Sequence, residues 1–362
     1  MPHYRLPYTP HSGAKSHSGN ILALAITEDG KTLASGVQEV VATLCLCFGP
    51  DKPTNPMTFY TPAPRTDTFF CWRQDKLSKA FEETFALQIT HSGEITSLAF
   101  DSTNNRLCLC SCTDIIQSWT ISKDANTGKW KAHNIFSQKY ANLVPRLITF
   151  AAFDNSSDRD IIVFGSGHNG PIYILRGKTG ERKADWSVGA YIGSAVVDWK
   201  EGLLCLNDPY VGPALFRHAD QTKARSFEVR RELPGDPFSS DVCFGENGST
   251  VVTGSDHGIV YVFDTRSGDA IQELETGRSQ RIKAVATTEM GGVPVIVAAY
   301  AYSDEGFQEI LVWKRVRATT IGWDKVGMLL KVLVLLGFVA FIYQNLVERH
   351  LEFSIGETVD SL

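Results

Sequence analysis

The chain has 362 residues, 43% of them hydrophobic and 21% charged, with a net charge of −5. This composition suits a folded globular protein, and the length suits modules added one after another better than one thick core. Its 35 lysines and arginines are scattered, which argues against the clustered basic stripe that nucleic-acid binding requires.

Met1 to Gly19 carries Pro2, Pro7 and Pro10 but no apolar core, so no secretory leader is expected and the chain is read as starting in the cytosol. Residues 1–16 are taken as a segment ahead of the repeats. From His17 the chain reads as a turn and a strand, Ile21-Leu-Ala-Leu-Ala25, then a tight turn at Glu28 to Lys31 and a second strand to Gly36. The same opening returns at His91-Ser-Gly93-Glu-Ile95, followed by a turn at Thr103 to Asn105 and a strand ending at Ser118-Trp119. Between the two copies, Val37 to Leu46 lacks the expected turn, and five prolines (Pro50, Pro53, Pro56, Pro62, Pro64) follow closely, so the first unit is expected to be short or irregular.

Three further units follow the same scheme. One runs through Leu147–Phe153, Ile161–Phe164 and Ile172–Leu175; another through Ala195–Trp199, Leu203–Leu206 and Ala214–Phe216; the last through Ile282–Ala286, Val295–Ala298 and Ile310–Trp313. The fullest copy lies between the last two. It joins Asp241–Phe244, a turn at Gly245 to Gly248, Thr250–Gly254, a turn at Ser255 to Gly258, and Ile259–Asp264. Three short strands, with a fourth from the linker, make one propeller blade. Repeats of roughly 40–45 residues give about five blades between His91 and Lys314 and two before them, hence seven.

These segments resemble WD repeats, with a His near the first turn (His17, His91), an Asp in the second turn (Asp256) and an aromatic residue closing the third strand (Trp119, Phe263 with Asp264, Trp313). In detail they are similar to a group of fungal WD-repeat proteins through Cys71-Trp72-Arg-Gln74, His91 to Thr96 and Gly254 to Asp264. The resemblance implies an all-β propeller over residues 17–315 and brings no catalytic residues. No unit shows the full His, Ser or Thr, Asp and Trp set, so blade stability is expected to rest on apolar packing between sheets.

The eight cysteines include Cys45/Cys47 and Cys108/Cys110/Cys112, whose alternation places each group on one strand face. They read as reduced small hydrophobes rather than a disulfide or zinc framework.

After a linker at 316–325, Val326 to Tyr343 is apolar all round apart from Lys331, which predicts a single transmembrane helix. Eighteen residues span about 27 Å, enough for a thin bilayer. Val326, Lys331, Leu335, Phe338 and Tyr343 mark the span, with Lys331 reaching the headgroups. Lys314, Arg315, Arg317 and Lys325 precede it, and an acidic tail, residues 344–362, follows, so the propeller is expected in the cytosol. The endoplasmic reticulum is the expected membrane, the mitochondrial outer membrane the alternative. Sequons at Asn155 and Asn247 would then stay unmodified.

Gly165-Ser-Gly167-His-Asn-Gly170 has dinucleotide-binding spacing, but a strand follows where a helix is needed, so the glycines read as a hairpin turn. Arg225, Arg230 and Arg231 are followed by Glu232 rather than the glycine of phosphoinositide-binding propellers and read as a solvated loop. No nucleophile motif appears. The expectation is a membrane-anchored scaffold without catalysis, cofactor, metal or small-molecule substrate, binding protein partners through a propeller rim and the bilayer through its helix. The alternative is a propeller-type guanine nucleotide exchange factor for a small GTPase at the endoplasmic reticulum; its glycine-rich loop has no convincing counterpart at His11 to Gly19.

Overall fold

The computed structural model describes residues 8–17, 21–26, 33–37, 47–48, 58–62, 68–74, 81–88, 95–141, 143–154, 157–232, 236–301, 308–316, 331, 334 and 336. The chain divides into two compact units, residues 7–316 and, separately, residues 1–6 with 317–362.

In the larger unit every described regular element is a strand. In chain order these are β1 (Tyr8–His17), β2 (Ile21–Ile26), β3 (Leu33–Val37), β4 (Cys47–Phe48), β5 (Thr58–Pro62), β6 (Thr68–Gln74), β7 (Phe81–Gln88), β8 (Ile95–Asp101), β9 (Arg106–Ser111), β10 (Ile115–Lys123), β11 (Trp130–Lys139), β12 (Val144–Ala151) and β13 (Asp160–Ser166). They continue with β14 (Pro171–Leu175), β15 (Arg182–Ser187), β16 (Ser194–Asp198), β17 (Leu203–Asp208), β18 (Gly212–Arg217), β19 (Lys223–Ser226), β20 (Val242–Gly245), β21 (Thr250–Gly254), β22 (Ile259–Asp264), β23 (Ala270–Glu275), β24 (Ile282–Met290), β25 (Val293–Tyr300) and β26 (Gln308–Arg315). Among the described residues β2–β3 pair as a two-stranded sheet, and β4–β7, β8–β11, β12–β15, β16–β19 and β20–β23 form four-stranded sheets. The last sheet takes β24, β25 and β26 and adds β1 as its outer strand. The first strands of successive sheets, β2, β4, β8, β12, β16, β20 and β24, touch in that order, and β24 touches β2.

The core lies between sheets, and the middle strands β9, β13, β14, β17, β21 and β22 are buried on both faces. In β13, Ile161 and Val163 pack toward Cys108, Cys110 and Ile116, while Ile162 and Phe164 pack toward Leu204, Leu206 and Phe216. The period of two along a strand serves two interfaces at once. Fourth strands face water: Arg182, Lys183, Asp185 and Ser187 of β15 are exposed.

Antiparallel pairing fixes two ends of the sheets. Turns joining first to second and third to fourth strands lie at one end, here the lower; turns joining second to third strands, and the links to the next sheet, lie at the upper end. As the third strand of its sheet, β26 finishes at the lower end, where Arg315 pairs with Glu246 of the β20–β21 turn at 2.5 Å.

One boundary differs from the sequence reading. Residues 8–16, placed there ahead of the repeats, belong to β1, which runs in register with β26 from Tyr8 opposite Arg315 to His17 opposite Gln308. A strand whose partner lies some 300 residues away has no local signal, and its prolines and polar residues disguise it. Gln272 holds it by accepting from Tyr8 N at 2.7 Å and donating to Tyr8 O at 2.8 Å. The Tyr8 hydroxyl donates to Glu246 at 2.8 Å, and burial pushes that phenol well above its ordinary range.

In the smaller unit, residues 331, 334 and 336 are helical and exposed. Val326, Leu335, Phe338 and Tyr343 lie outside the described residues. Among the described residues no helix is long and apolar enough to cross a membrane.

Candidate functional site

Side chains that are at once apolar and exposed gather at the upper end of the β12–β15 and β16–β19 sheets. Val144, Tyr210 and Val211 are 49%, 49% and 70% exposed, an unusual presentation for such residues when several stand together. The Tyr191 ring stands between those of His168 and Tyr210, at centroid distances of 4.8 and 5.2 Å. Its hydroxyl hydrogen-bonds His168 Nδ1.

The loops carrying these rings are held from below by Asp208. Its carboxylate accepts from Tyr191 N at 3.0 Å, Tyr210 N at 2.7 Å and Val211 N at 3.2 Å. Three donors satisfy the buried charge and fix two loops from adjacent sheets. Arg231 braces the same turn by donating to Pro209 O and Asp208 O.

Asp256 does the same work one sheet later. It accepts from Glu232 N, 3.3 Å to each carboxylate oxygen, and pairs with His257 Nδ1 at 2.8 Å. The other ring nitrogen, His257 Nε2, lies 3.2 Å from the Tyr261 hydroxyl, a phenol that burial shifts upward. Beside this network is a cleft of about 310 Å³ lined by Arg230, Glu232, His257, Glu275, Thr276 and Arg278. Its wall depends on Gly258, which has φ +82° and so little room that a Cβ there would strike the Arg278 carbonyl.

The cleft adjoins the aromatic strip. A Cβ on Gly212, next to Val211, would meet the Val229 side chain at 4.0 Å, and Arg230 follows directly. One polar-rimmed surface thus runs across three sheets at the upper end.

The residues proposed from sequence fall elsewhere. Phe263 is 1% exposed, with the rings of Tyr261 and Phe227 at 5.8 and 5.2 Å. Asp264 closes the β22–β23 turn by accepting from Arg266 N and Ser267 N at 2.8 Å each. Trp313 is buried beside Tyr8 and Tyr300. Trp119 packs beside Leu107 and Ile121, and its buried Nε1 has no acceptor among the described residues. His17 ends β1, and His91 lies outside the described residues. Of the repeat and anchor residues proposed from sequence, Asp256 alone among the described ones touches the upper surface, where Arg230, Arg231 and His168, read from sequence as loop and turn residues, also stand.

The glycines at 165, 167 and 170 turn β13 into β14, which pair antiparallel, and the turn presents His168. Arg225 reaches the Ser267 carbonyl at the lower end, away from Arg230 and Arg231. Cys71, Cys108, Cys110 and Cys205 are free and buried, and burial pushes the Cys110 thiol up to about 12. Among the described residues no cluster of His, Cys, Asp and Glu is arranged to hold a metal ion.

Antiparallel sheets following one another through touching first strands, with the core between them, define a β-propeller of several blades. The family model described as "WD domain, G-beta repeat" matches residues 228–264, the segment that holds Asp256, His257 and Phe263. The chain is similar to a solved propeller described as "Structure of Dos1 propeller", with a TM-score of 0.57 and 13% identity over 84% of this chain and 94% of that one. At such identity the likeness is one of fold. Among curated proteins none matches the sequence.

Proposed function

We propose that the protein is a membrane-held WD-repeat scaffold, a seven-bladed propeller with a short first blade that presents its upper end to a partner protein and carries no catalysis of its own. The observation that carries the scaffold reading is the upper surface itself: exposed aromatic and aliphatic side chains on loops fixed by two buried aspartates. Rigid aromatic anchors with a polar rim are what protein recognition uses, and WD propellers are in general non-catalytic binding platforms. Seven successive sheets among the described residues favour the seven-blade count.

The membrane part rests on the apolar run Val326 to Tyr343. It is supported by the exposure of Val334 and Leu336, 68% and 59%, side chains that gain from lipid contact. The propeller chain ends at the lower end of β26, and the ten-residue linker at 316–325 reaches at most about 35 Å. The propeller then lies in the cytosol, at the endoplasmic reticulum or alternatively the mitochondrial outer membrane. Alkaline carbonate extraction of membranes from cells making the full chain, or the chain without residues 326–343, tests this. The full chain is expected in the pellet and the deletion in the supernatant; a full chain released by carbonate defeats the anchor.

Against the exchange-factor alternative stands the pairing of Ser12 to Lys15 with Ile310 to Val312 and Glu309, which makes the only candidate for a glycine-rich loop part of a strand. A nucleotide-release assay with small GTPases is expected to show no acceleration by the full chain.

A further inference from the structure

We propose that the upper surface binds an extended segment of a partner protein carrying an aromatic or branched aliphatic residue a few positions from a lysine or arginine. This rests on the scaffold reading and specifies its partner. Of the five large hydrophobic side chains exposed among the described residues of the 7–316 unit, Tyr210 and Val211 are adjacent on one turn and Val144 lies at the same end of the preceding sheet, whereas Ile271 and Val316 lie at the lower end. His168, Tyr191 and Tyr210 form an aromatic strip, which suits an apolar anchor.

The sign of the second anchor follows from which cleft charges are already engaged. Arg278 is paired with Glu309 at 3.8 Å and stands over the Tyr300 ring. Both nitrogens of His257 are taken by Asp256 and Tyr261. Among the described residues the Glu232 and Glu275 carboxylates and the Arg230 guanidinium form no ion pair, and Arg230 stands near the Tyr261 hydroxyl. Two carboxylates against one guanidinium leave the cleft net negative, in a chain of net charge −5, so a cationic side chain is drawn in and an anionic one repelled. Arg230, between the strip and the carboxylates, is placed to meet a carbonyl of the bound backbone. Asp208 and Asp256 act as positioning residues, since they hold the loops and reach no ligand themselves.

The test is to pan a phage-displayed random dodecapeptide library on the full chain in detergent micelles, and on Tyr210→Ala and the double variant Glu232→Gln/Glu275→Gln. These positions are exposed, so matching melting curves will show that each variant is folded. Peptides pairing an aromatic or branched aliphatic residue with Lys or Arg are expected to enrich on the parent. A synthetic copy of the leading peptide is expected to bind each variant about tenfold or more weakly by fluorescence anisotropy. Enrichment of acidic peptides, or of peptides that bind both variants like the parent, overturns this site while leaving the scaffold reading in place. A parent that enriches no peptide overturns both.

Discussion

The β24–β26 sheet with β1 packs a complete neighbour on one face and the short β2–β3 sheet on the other, and the two faces are built differently. Toward β20–β23 it turns Tyr8, Ile282, Val285, Ile296, Tyr300 and Trp313, which meet Val252, Val260, Val262 and Leu274 in a layer with every member at 5% exposure or less. Toward β2–β3 it turns Ala284, Val295, Val297, Ala299 and Ile310, and the residues it meets, Leu24, Ile26 and Leu33, are only half-buried. The same three strands are thus buried on both faces, at 5% exposure or less on one and 4% or less on the other, and the joints differ in the neighbour, whose side chains are sealed in β20–β23 and half-buried in β2–β3. Among the described residues a face is covered as well by two neighbouring strands as by four, while the two-stranded neighbour leaves part of its own apolar surface open.

The largest effect expected is Phe263→Ala, in the layer between two four-stranded sheets, β16–β19 and β20–β23. Removing a fully buried ring between Tyr261 and Phe227 should cost about 3–5 kcal/mol in urea unfolding of the full chain, against about 1 kcal/mol for Ile26→Ala, whose burial is partial. Equal losses would break the contrast. Next is the clasp on β1: Gln272→Ala leaves Tyr8 N and O without partners in a half-buried site, a cost of about 1–3 kcal/mol. Amide exchange should then speed up in β1 and β26 before β20–β22. Exchange that stays slow in β1 would show that apolar packing alone holds the strand.

A smaller effect concerns the joint between β12–β15 and β16–β19, where His218 stacks on Phe153 at 3.7 Å and lies near Trp186. Burial, and then the nearby Lys183 charge, lowers its pKa below the ordinary 6.5. The folded protein therefore binds this proton less readily than the unfolded chain. Stability from the neutral ring is present above pH 6.5 and declines as pH falls below it toward the folded-state pKa. Melting temperatures from pH 7.5 to 5.5 should fall for the parent and fall less for His218→Phe, which keeps the stacking; parallel curves would remove His218 from the account. The smallest expected change is Trp119→Phe. Its buried indole N–H has no acceptor among the described residues, so stability should stay within about 1 kcal/mol of the parent.

The strands most legible in the sequence are those covered on both faces. Ile161–Phe164, Thr250–Gly254 and Ile259–Asp264 are β-branched and aromatic because two interfaces demand it. Outer strands such as β15 and β19, Arg-Lys-Ala-Asp-Trp-Ser and Lys-Ala-Arg-Ser, bury little and look like linkers. The upper surface was hidden for a different reason: His168, Tyr191, Tyr210 and Arg230 sit on separate loops that only the ring of sheets brings side by side. A signal for its frame was present in Asp208, which stands between the second and third strands of its unit as Asp256 does in the next. Aligning the two units would have paired them and drawn attention to Tyr210 and Val211.

The proposal that the propeller lies on the cytosolic side of a membrane is tested most directly by the sequon Asn247-Gly248-Ser249 on the β20–β21 turn, whose asparagine is exposed. We expect the full chain, expressed with an added acceptor sequon behind residue 362, to gain one endoglycosidase-sensitive glycan that persists in Asn247→Gln and disappears when the added sequon is mutated. A glycan lost in Asn247→Gln would put the propeller in the lumen and contradict the account.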